Sequence, residues 1–571
     1  ADQTLPVVPA AAGIGLLQDQ YAPSLQILLV ICGLVLLVAC ANVANLLLAR
    51  AVTRRRQTAV RLAIGATPRQ IIAEALTESV LLSLAGALAG LLVATAAARL
   101  LLLLAFRNSQ FVPIATTPSL VVLAFTFVLS LITAIGFGAA PAWLATRIDP
   151  IDALRGAGRS AGDRSSRPRT ALLVIQATLA VVLVAGATML ARSLGNLQRQ
   201  NVGYRLQGRV IVGLNRLPAA YTSERLSALY RDVEQRLAGL PGVRGSGLAL
   251  YNPLTSNWGE TILVAGHAPK PSSESGASWD RVSAGYLQTL GIAVVRGRAF
   301  TAADNETAAP VAVVNEAFAK RFFTGDEDPL DQHFGVEQSG HADTFRIVGI
   351  VGDATFARSA LSRPARPMFY VPLAQRVAYE NDQMRMIERL SHFMQGIALV
   401  TDAPPGELEP LLRRTLAAAD PNLTITSVRT LQQQVALSFD RERAVASLAG
   451  LFAIVALVLA AVGVYGVTAY TVARQTNEIG IRMALGADRP TVIRLVMRQT
   501  LLRVAAGLIV GVPLAVAAAR LMAAQLYGVS SRDPFALAIA AGSIAACGVV
   551  AAIVPASRAA AISPLSALRA E

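Results

Sequence analysis

Long apolar runs separated by short basic stretches occupy both ends of the chain. A helix needs about 20 apolar residues to cross the roughly 30 Å hydrocarbon core of a bilayer. Seven runs reach this length, and we predict that each forms a transmembrane helix. Their predicted bounds are 24–49, 79–104, 120–146, 170–191, 443–474, 501–526 and 534–557.

The positions of the arginines between these spans predict their orientation, because basic loops stay on the cytoplasmic side. Six arginines follow the first span before residue 70, whereas only Arg107 separates the second span from the third. Residues 147–169 carry six more arginines, and the loop after the fifth span is also basic. Residues 192–440, which contain no run long enough to span, are therefore predicted to be extracytoplasmic.

The excess of basic residues lies in the apolar regions, as expected for membrane helices with basic cytoplasmic loops. The 571 residues are 54% hydrophobic and 15% charged, with a net charge of +15. Residues 192–440 hold 25 basic and 24 acidic residues, which leaves 26 basic and 12 acidic residues in the apolar remainder. Basic charge beside long apolar runs is typical of membrane proteins, and we predict a lipid bilayer and no nucleic acid as partner.

The two apolar regions are copies of each other. At an offset of 421 residues, 15 of the 40 residues in 61–100 are identical to those in 482–521. The alignment places the glycine pair Gly86 and Gly90 on Gly507 and Gly511. Glycines four apart let two helices approach closely in lipid, so we predict that all four glycines lie at helix contacts.

The duplication defines the predicted domains. The second copy has a further span and a large external segment in front of it, and we expect the corresponding parts of the first copy to precede residue 1. The predicted order is an external tail (1–23), a first three-helix permease domain (24–155), an arginine-rich cytoplasmic linker (156–169), a transmembrane helix (170–191), the external domain (192–440) and a second permease domain with a C-terminal cytoplasmic helix (441–571).

The external segment has the pattern of a mixed α and β domain. Residues 209–214, 223–240 and 242–249 are predicted to be strand, helix and strand, and the same order recurs over 396–400, 405–419 and 423–428. Two such units predict a split βαβ layer. A strand-rich insertion lies between them.

The sequence lacks the spacings of the phosphate-binding loop and of the zinc pair that would indicate catalysis. The only two lysines, Lys270 and Lys320, do not follow a glycine, so the phosphate-binding GxxxxGK[ST] loop is absent. The four histidines lack the spacing of a zinc pair. We therefore predict no catalytic residues, no metal, no cofactor and no ATPase activity in this chain.

The two short cytoplasmic loops are the candidate functional sites. In EIGIRMALGA (478–487), Glu478 and Arg482 are one helical turn apart, and Gly486 is placed to end a short surface helix. Ile479, Ile481 and Leu485 would offer an apolar surface to a partner. The alternative is a helix that only anchors the loop in the membrane interface. Two copies favour docking of a two-fold partner.

These loops resemble those of a known family. The loop EIGIRMALGA, the tail SPLSALR and the external phrases RVSAGYLQTLGIAVVRGRAF, APVAVVNEAFAKRFF and FRIVGIVGDA are similar to those of MacB/FtsX-type ABC transporter permeases. The duplicated arrangement resembles the acidobacterial duplicated orphan permease branch. The resemblance implies an α-helical multi-pass protein of the bacterial inner membrane with FtsX-like units and one α+β MacB-like periplasmic core domain.

The resemblance also implies a cytoplasmic ABC ATPase as partner, bound by the two loops and the C-terminal helix. The implied docking residues are Gln57, Arg61, Gly65, Ala66, Glu478, Arg482, Gly486, Ala487, Pro564, Leu568 and Arg569. Where the family has glutamate, the first loop has Gln57. Arg61 therefore lacks an acidic partner one turn away, which would weaken the first docking site.

Three functions fit this organisation. The first is an efflux permease powered by a separate ATPase, with a periplasmic adaptor as a further partner. The second is a transmembrane relay that regulates an extracytoplasmic cell-wall enzyme without moving a substrate. The third is release of lipoproteins. The large external domain favours efflux.

Overall fold

The protein divides into two compact units. The computed structural model describes residues 16–53, 61, 64, 67–105, 119–146, 162–255, 257–271, 274–323, 327–356 and 365–561. A membrane unit comprises Ala1–Gly195 and Arg441–Glu571, and an external unit comprises Asn196–Asp440. The bounds of the external unit are close to the bounds 192–440 predicted for the external domain.

The described α-helices, in chain order, are α1 (Leu16–Thr53), α2 (Pro68–Ala105), α3 (Leu120–Thr146), α4 (Gly162–Gln198), α5 (Ser223–Ala238), α6 (Tyr286–Leu290), α7 (Glu316–Phe322), α8 (Asp382–Ser391), α9 (Pro405–Ala419), α10 (Leu431–Leu437), α11 (Asp440–Arg474), α12 (Thr476–Ala484), α13 (Arg489–Leu521) and α14 (Pro534–Ala560). The described strands are β1 (Arg209–Leu214), β2 (Val243–Ala249), β3 (Trp258–Val264), β4 (Gly276–Val282), β5 (Val294–Gly297), β6 (Val311–Asn315), β7 (His333–Val336), β8 (Phe345–Val351), β9 (Met368–Pro372), β10 (Gly396–Thr401) and β11 (Ile425–Thr430).

Six of the described helices are long and apolar enough to cross a membrane. They contain the segments Leu25–Asn45, Arg69–Ala96, Arg169–Gln198, Asp440–Arg474, Arg489–Leu521 and Pro534–Ala560. The third predicted span coincides with α3, whose apolar segment over the described side chains is the shorter Leu120–Ile132. The count of seven spans therefore stays a prediction.

Helix α4 lies at the centre of the membrane unit, since 67% of its span is buried. Small and branched side chains on α4, among them Ala177, Ala180 and Val181, form a common core with α11, α13 and α14. Arg192 near the end of α4 forms an ion pair with Asp533, which also caps the start of α14. Helix α4, which precedes the second copy, thus packs against all three long helices of that copy.

Gly507 and Gly511 form the contact between α13 and α4. A Cβ atom at Gly507 would lie 2.5 Å from the Cβ atom of Ala177, and one at Gly511 would lie 3.0 Å from that of Val181. The hydroxyl of Thr178 donates to the carbonyl of Gly507 at 3.2 Å. The helix backbones are therefore too close for any larger residue at position 507.

The equivalent glycines of the first copy, Gly86 and Gly90, have open space around them among the described residues. A Cβ atom at Gly86 or Gly90 would have no neighbour within 4 Å in the part of the chain that the structure describes. In the second copy the partner of this face is α4. The structure shows the packing contact at Gly507 and Gly511, and the packing role of Gly86 and Gly90 stays a prediction.

The external unit contains the predicted split βαβ layer. Its sheet begins in the order β11-β1-β10-β2, with each neighbouring pair antiparallel. Helices α5 and α9 cover this part of the sheet because their apolar residues recur at helical spacing, as in Leu408, Leu412 and Leu416. These side chains and those of Val210 and Val212 form one core.

The insertion forms the rest of the sheet, which continues as β4-β3-β7-β8-β6-β9 with β5 paired to β8. Aromatic rings fill its core: the ring centroids of Phe318 and Phe334 are 5.0 Å apart, and those of Phe334 and Phe369 are 5.1 Å apart. The external unit is therefore one continuous sheet with two separate hydrophobic cores.

The two glycine pairs provide a matched test of the membrane packing. We expect Gly507→Leu to lower the stability of the membrane unit by roughly 1–3 kcal/mol or more, because the side chain would overlap α4. Gly86→Leu at the equivalent position should leave stability nearly unchanged, since space is available there. Thermal unfolding of both variants in lipid nanodiscs measures the difference. Equal shifts of the two midpoints would contradict the contact.

Candidate functional site

The second loop folds as the short helix α12, which is separated from α11 only by Gln475. The backbone of Gly486 has φ of +100°, a left-handed conformation that favours glycine. The N–H of Gly486 donates to the carbonyl of Met483 at 3.1 Å, and the N–H of Ala487 donates to that of Arg482 at 3.0 Å. These two bonds form a Schellman motif, which ends the helix and turns the chain into α13.

Glu478 and Arg482 form an ion pair on the exposed side of α12. Arg482 Nη2 lies 2.5 Å from Glu478 Oε1. The side chain of Glu478 is 54% exposed, and that of Arg482 is 49% exposed. A solvent-exposed pair at this spacing contributes only about 0.3–0.5 kcal/mol. Both side chains therefore remain accessible to a partner at little energetic cost.

The apolar residues of α12 lie on two different faces, which corrects the prediction of one apolar surface. Ile479 is only 2% exposed, whereas Ile481 is 48% exposed and Leu485 is 83% exposed. Successive residues are about 100° apart on a helix, so positions 479 and 481 point to nearly opposite sides. Only Ile481 and Leu485 can contact a partner.

Ile479 joins α12 to the membrane helices. Its side chain is buried in a cluster formed by the ends of three helices, to which α11 contributes Val472, α13 contributes Val492 and Val496, and α14 contributes Ala556, Ala559 and Ala560. Met483 packs against the same cluster. A force on α12 therefore acts on all three long helices of the second copy.

The first loop has an arrangement that the sequence did not reveal. Arg61 Nη1 lies 2.9 Å from Glu74 Oε2, and both side chains are mostly exposed. Glu74 belongs to α2, and the residue at the equivalent position of the second copy is Leu495. Arg61 therefore has an acidic partner from the next helix, although Gln57 cannot supply one.

Both loops lead into the following helix through a cap at the same position. Thr67 and Gln70 exchange hydrogen bonds between side chain and backbone at the start of α2. At the equivalent position, Asp488 accepts from the N–H of Thr491 at 3.2 Å. Hydrogen bonds from Thr491 hold the pKa of Asp488 below its usual value, so this cap is charged at neutral pH.

Several predicted docking residues lie outside the described part of the chain. They are Gln57, Gly65, Ala66, Pro564, Leu568 and Arg569. The helix that leads to the last three, α14, ends at Ala560 inside the cluster that holds Ile479.

The described residues contain no group of three or more His, Cys, Asp and Glu side chains that could hold a metal ion. One ion pair of the external unit lies in its interior, where Arg281 Nη2 is 2.7 Å from Glu388 Oε2. Burial alone would raise the pKa of Glu388, but Arg281 and the hydrogen bond from His392 outweigh it and lower that pKa. Burial lowers the pKa of His392 to about 4. These groups are paired in the interior and have the character of a structural network.

The two faces of α12 can be tested separately. We expect Ile479→Ala to cost about 2–5 kcal/mol of local stability, because it leaves a cavity where three helices meet. Ile481→Ala should change stability by no more than about 0.5 kcal/mol, since that side chain is half exposed. Hydrogen–deuterium exchange over residues 476–484 reports both effects. Equal exchange in the two variants would show that Ile479 does not hold the helix.

Both units of the protein match known protein families. The model of the FtsX-like permease C-terminal family matches residues 29–150 and again residues 450–564. The model of the MacB-like periplasmic core domain matches residues 170–408. The repeated match corresponds to the two copies, and the other match covers α4 and most of the external unit.

The relatives are export proteins by name. The macrolide export ATP-binding/permease protein MacB of Rhodospirillum rubrum is 27% identical over 436 residues, which are 74% of this chain and 60% of that protein. The pyoverdine export ATP-binding/permease protein PvdT of Pseudomonas syringae pv. syringae is 26% identical over 302 residues, which are 49% of this chain and 40% of that protein. The chain thus spans about half the length of the curated relatives it matches.

The periplasmic region of MacB from Actinobacillus actinomycetemcomitans is a similar solved structure. It is 14% identical, and the match covers 42% of this chain and 95% of that structure with a TM-score of 0.27. The two family matches and the similarity to the export proteins identify the family. With its apolar helices and its extracytoplasmic core domain, this multi-pass membrane protein belongs to the MacB/FtsX-type permeases.

Proposed function

We propose that the chain is the membrane permease subunit of an ABC-type exporter in the bacterial inner membrane. A separate cytoplasmic ATPase docks on α12 and on the corresponding loop of the first copy, and its movement is passed to the extracytoplasmic unit. The observation that carries this proposal is the position of α12. This helix is exposed through Glu478, Ile481 and Arg482 and is joined by Ile479 to three long helices.

The ATPase activity is assigned to a partner because the chain lacks its central motif. No GxxxxGK[ST] sequence occurs in the 571 residues. This loop supplies the backbone N–H groups and the lysine that hold the phosphates of ATP. The relatives are named as ATP-binding/permease proteins, so in those proteins the two activities are assigned to one chain.

Docking is proposed at two sites because both loops present an arginine with a carboxylate. In the second copy the carboxylate is Glu478 on the same helix, and in the first copy it is Glu74 on the following helix. Arginine and carboxylate side chains at an exposed site form directional contacts with a charged protein surface. Two equivalent sites suit an ATPase that is itself a dimer.

Export is supported by the relatives, since both named groups are exporters. Their substrates differ, macrolides in one group and pyoverdine in the other. The shared property is movement of a compound out of the cell, which is what we propose here. In an exporter, the partner of the extracytoplasmic unit would be a periplasmic adaptor.

A charge exchange within α12 tests the docking proposal. The double variant Glu478→Arg/Arg482→Glu keeps opposite charges four residues apart, so the helix should persist while its surface pattern is reversed. We expect affinity for the ABC ATPase that co-purifies with the wild-type chain to fall about tenfold, which corresponds to roughly 1.4 kcal/mol. Titration of that ATPase onto nanodiscs measures the change.

The control is the same exchange at Glu409 and Arg413 of α9, a pair with the same residue types and spacing in the external unit. This variant should bind the ATPase as the wild type does. If the exchange in α12 also leaves binding unchanged, α12 is a membrane anchor and the docking proposal is wrong.

A further inference from the structure

The first spans of the two copies, α1 and α11, meet inside the membrane unit. The offset of 421 residues that aligns the loops places Asn42 on Gly463 and Asn45 on Gly466. The segments matched by the FtsX-like family begin at residues 29 and 450, which are also 421 apart. Asn42 and Gly463 face each other, and Asn45 and Gly466 line the same small cavity. Each pair consists of one asparagine and one glycine.

Hydrogen bonds join the helices at this point. Asn42 Nδ2 donates to the carbonyl of Leu459 at 2.6 Å, and Gln176 Nε2 of α4 donates to Asn42 Oδ1 at 3.1 Å. Asn42 is 6% exposed and Gln176 is 1% exposed. A buried side-chain hydrogen bond of this kind favours helix association in lipid, where apolar contact alone gives no hydrophobic driving force.

Gly463 makes room for these side chains. A Cβ atom at this position would lie 2.7 Å from Asn42 Oδ1 and 2.4 Å from Gln176 Oε1. Both oxygens belong to side chains that could rotate away, but rotation would break the hydrogen bonds that these side chains form. The glycine is therefore needed for the hydrogen bonds as well as for the close approach.

We propose that this contact, the Asn42–Gly463 crossing, makes the pairing of the two copies heterotypic. Two glycines at the crossing would provide no side-chain donor. Two asparagines would require a side chain where even a Cβ atom overlaps Asn42 and Gln176. One asparagine and one glycine satisfy both requirements, so each copy pairs with the other in preference to a second copy of itself.

The neighbouring position, Asn45 in α1 and Gly466 in α11, has the same two residue types without the close contact. Asn45 and Gly466 line a small cavity of about 20 Å³ together with Asn42 and Gly463. Asn45 is 7% exposed, so this second asparagine is also buried on the side of α1 that faces α11. The difference between the copies thus extends over two positions of the same helix face. The inference concerns how the copies assemble and holds whether or not an ATPase docks on α12.

Alanine substitutions at two glycines of α11, Gly463 and Gly466, test the crossing with a small change in side-chain volume. Gly463→Ala should shift the unfolding equilibrium of the full chain in nanodiscs toward the unfolded state by at least about threefold, the loss expected for one interhelical hydrogen bond. Gly466→Ala should not destabilise the chain, because a Cβ atom there has no neighbour within 4 Å among the described residues. In the Asn42→Ala background, Gly463→Ala should cost less than in the wild type. Equal effects at 463 and 466, or simple additivity with Asn42→Ala, would overturn the proposal.

An exchange of the two residues tests the heterotypic requirement itself. Asn42→Gly and Gly463→Asn should each destabilise the chain, since they create two like residues at the crossing. The double variant restores one asparagine and one glycine, and Gln176 lies against both positions. It should be more stable than the sum of the single effects predicts. If it is only as stable as that sum, the crossing does not select unlike copies.

Discussion

The burial of Ile479 is the interaction on which the proposed mechanism depends. A nine-residue helix such as α12 has too few internal hydrogen bonds to be stable by itself in water. Ile479 places it against the ends of α11, α13 and α14, where an almost fully buried isoleucine contributes several kcal/mol. The same contact leaves the charged pair and Leu485 exposed. Fixation on one side and exposure on the other are the two properties that a helix needs to receive a force and pass it on.

The two copies share an architecture but differ in their contacts. Thr67 and Asp488 cap equivalent helices, and an arginine with a carboxylate lies beside each loop. By contrast, Gly507 packs against α4 while Gly86 has open space around it. The crossing of α1 and α11 combines an asparagine with a glycine at equivalent positions. The two copies in this chain thus have a similar fold but different contact surfaces.

Local patterns in the sequence were sufficient for much of this structure. The helical period of Leu408, Leu412 and Leu416 predicts helix α9, whose observed bounds are the predicted ones, and β1 likewise has its predicted bounds. The ion pair of Arg61 with Glu74 was not predictable, since no local rule relates residues 13 positions apart. The role of Gly86 depends on whether a helix lies beside it, which its own sequence does not encode. The opposite directions of Ile479 and Ile481 do follow from helical geometry and could have been recognised.

Photo-cross-linking from the exposed face of α12 tests the central claim most directly. A photoreactive amino acid in place of Leu485, which is 83% exposed, should form an adduct in cells with a protein that contains a GxxxxGK[ST] loop. The same amino acid in place of Leu521, which is 89% exposed at the far end of α13, should not form this adduct. Lipid adducts alone at Leu485, or the same ATPase adduct at both positions, would contradict the claim that α12 is the docking site.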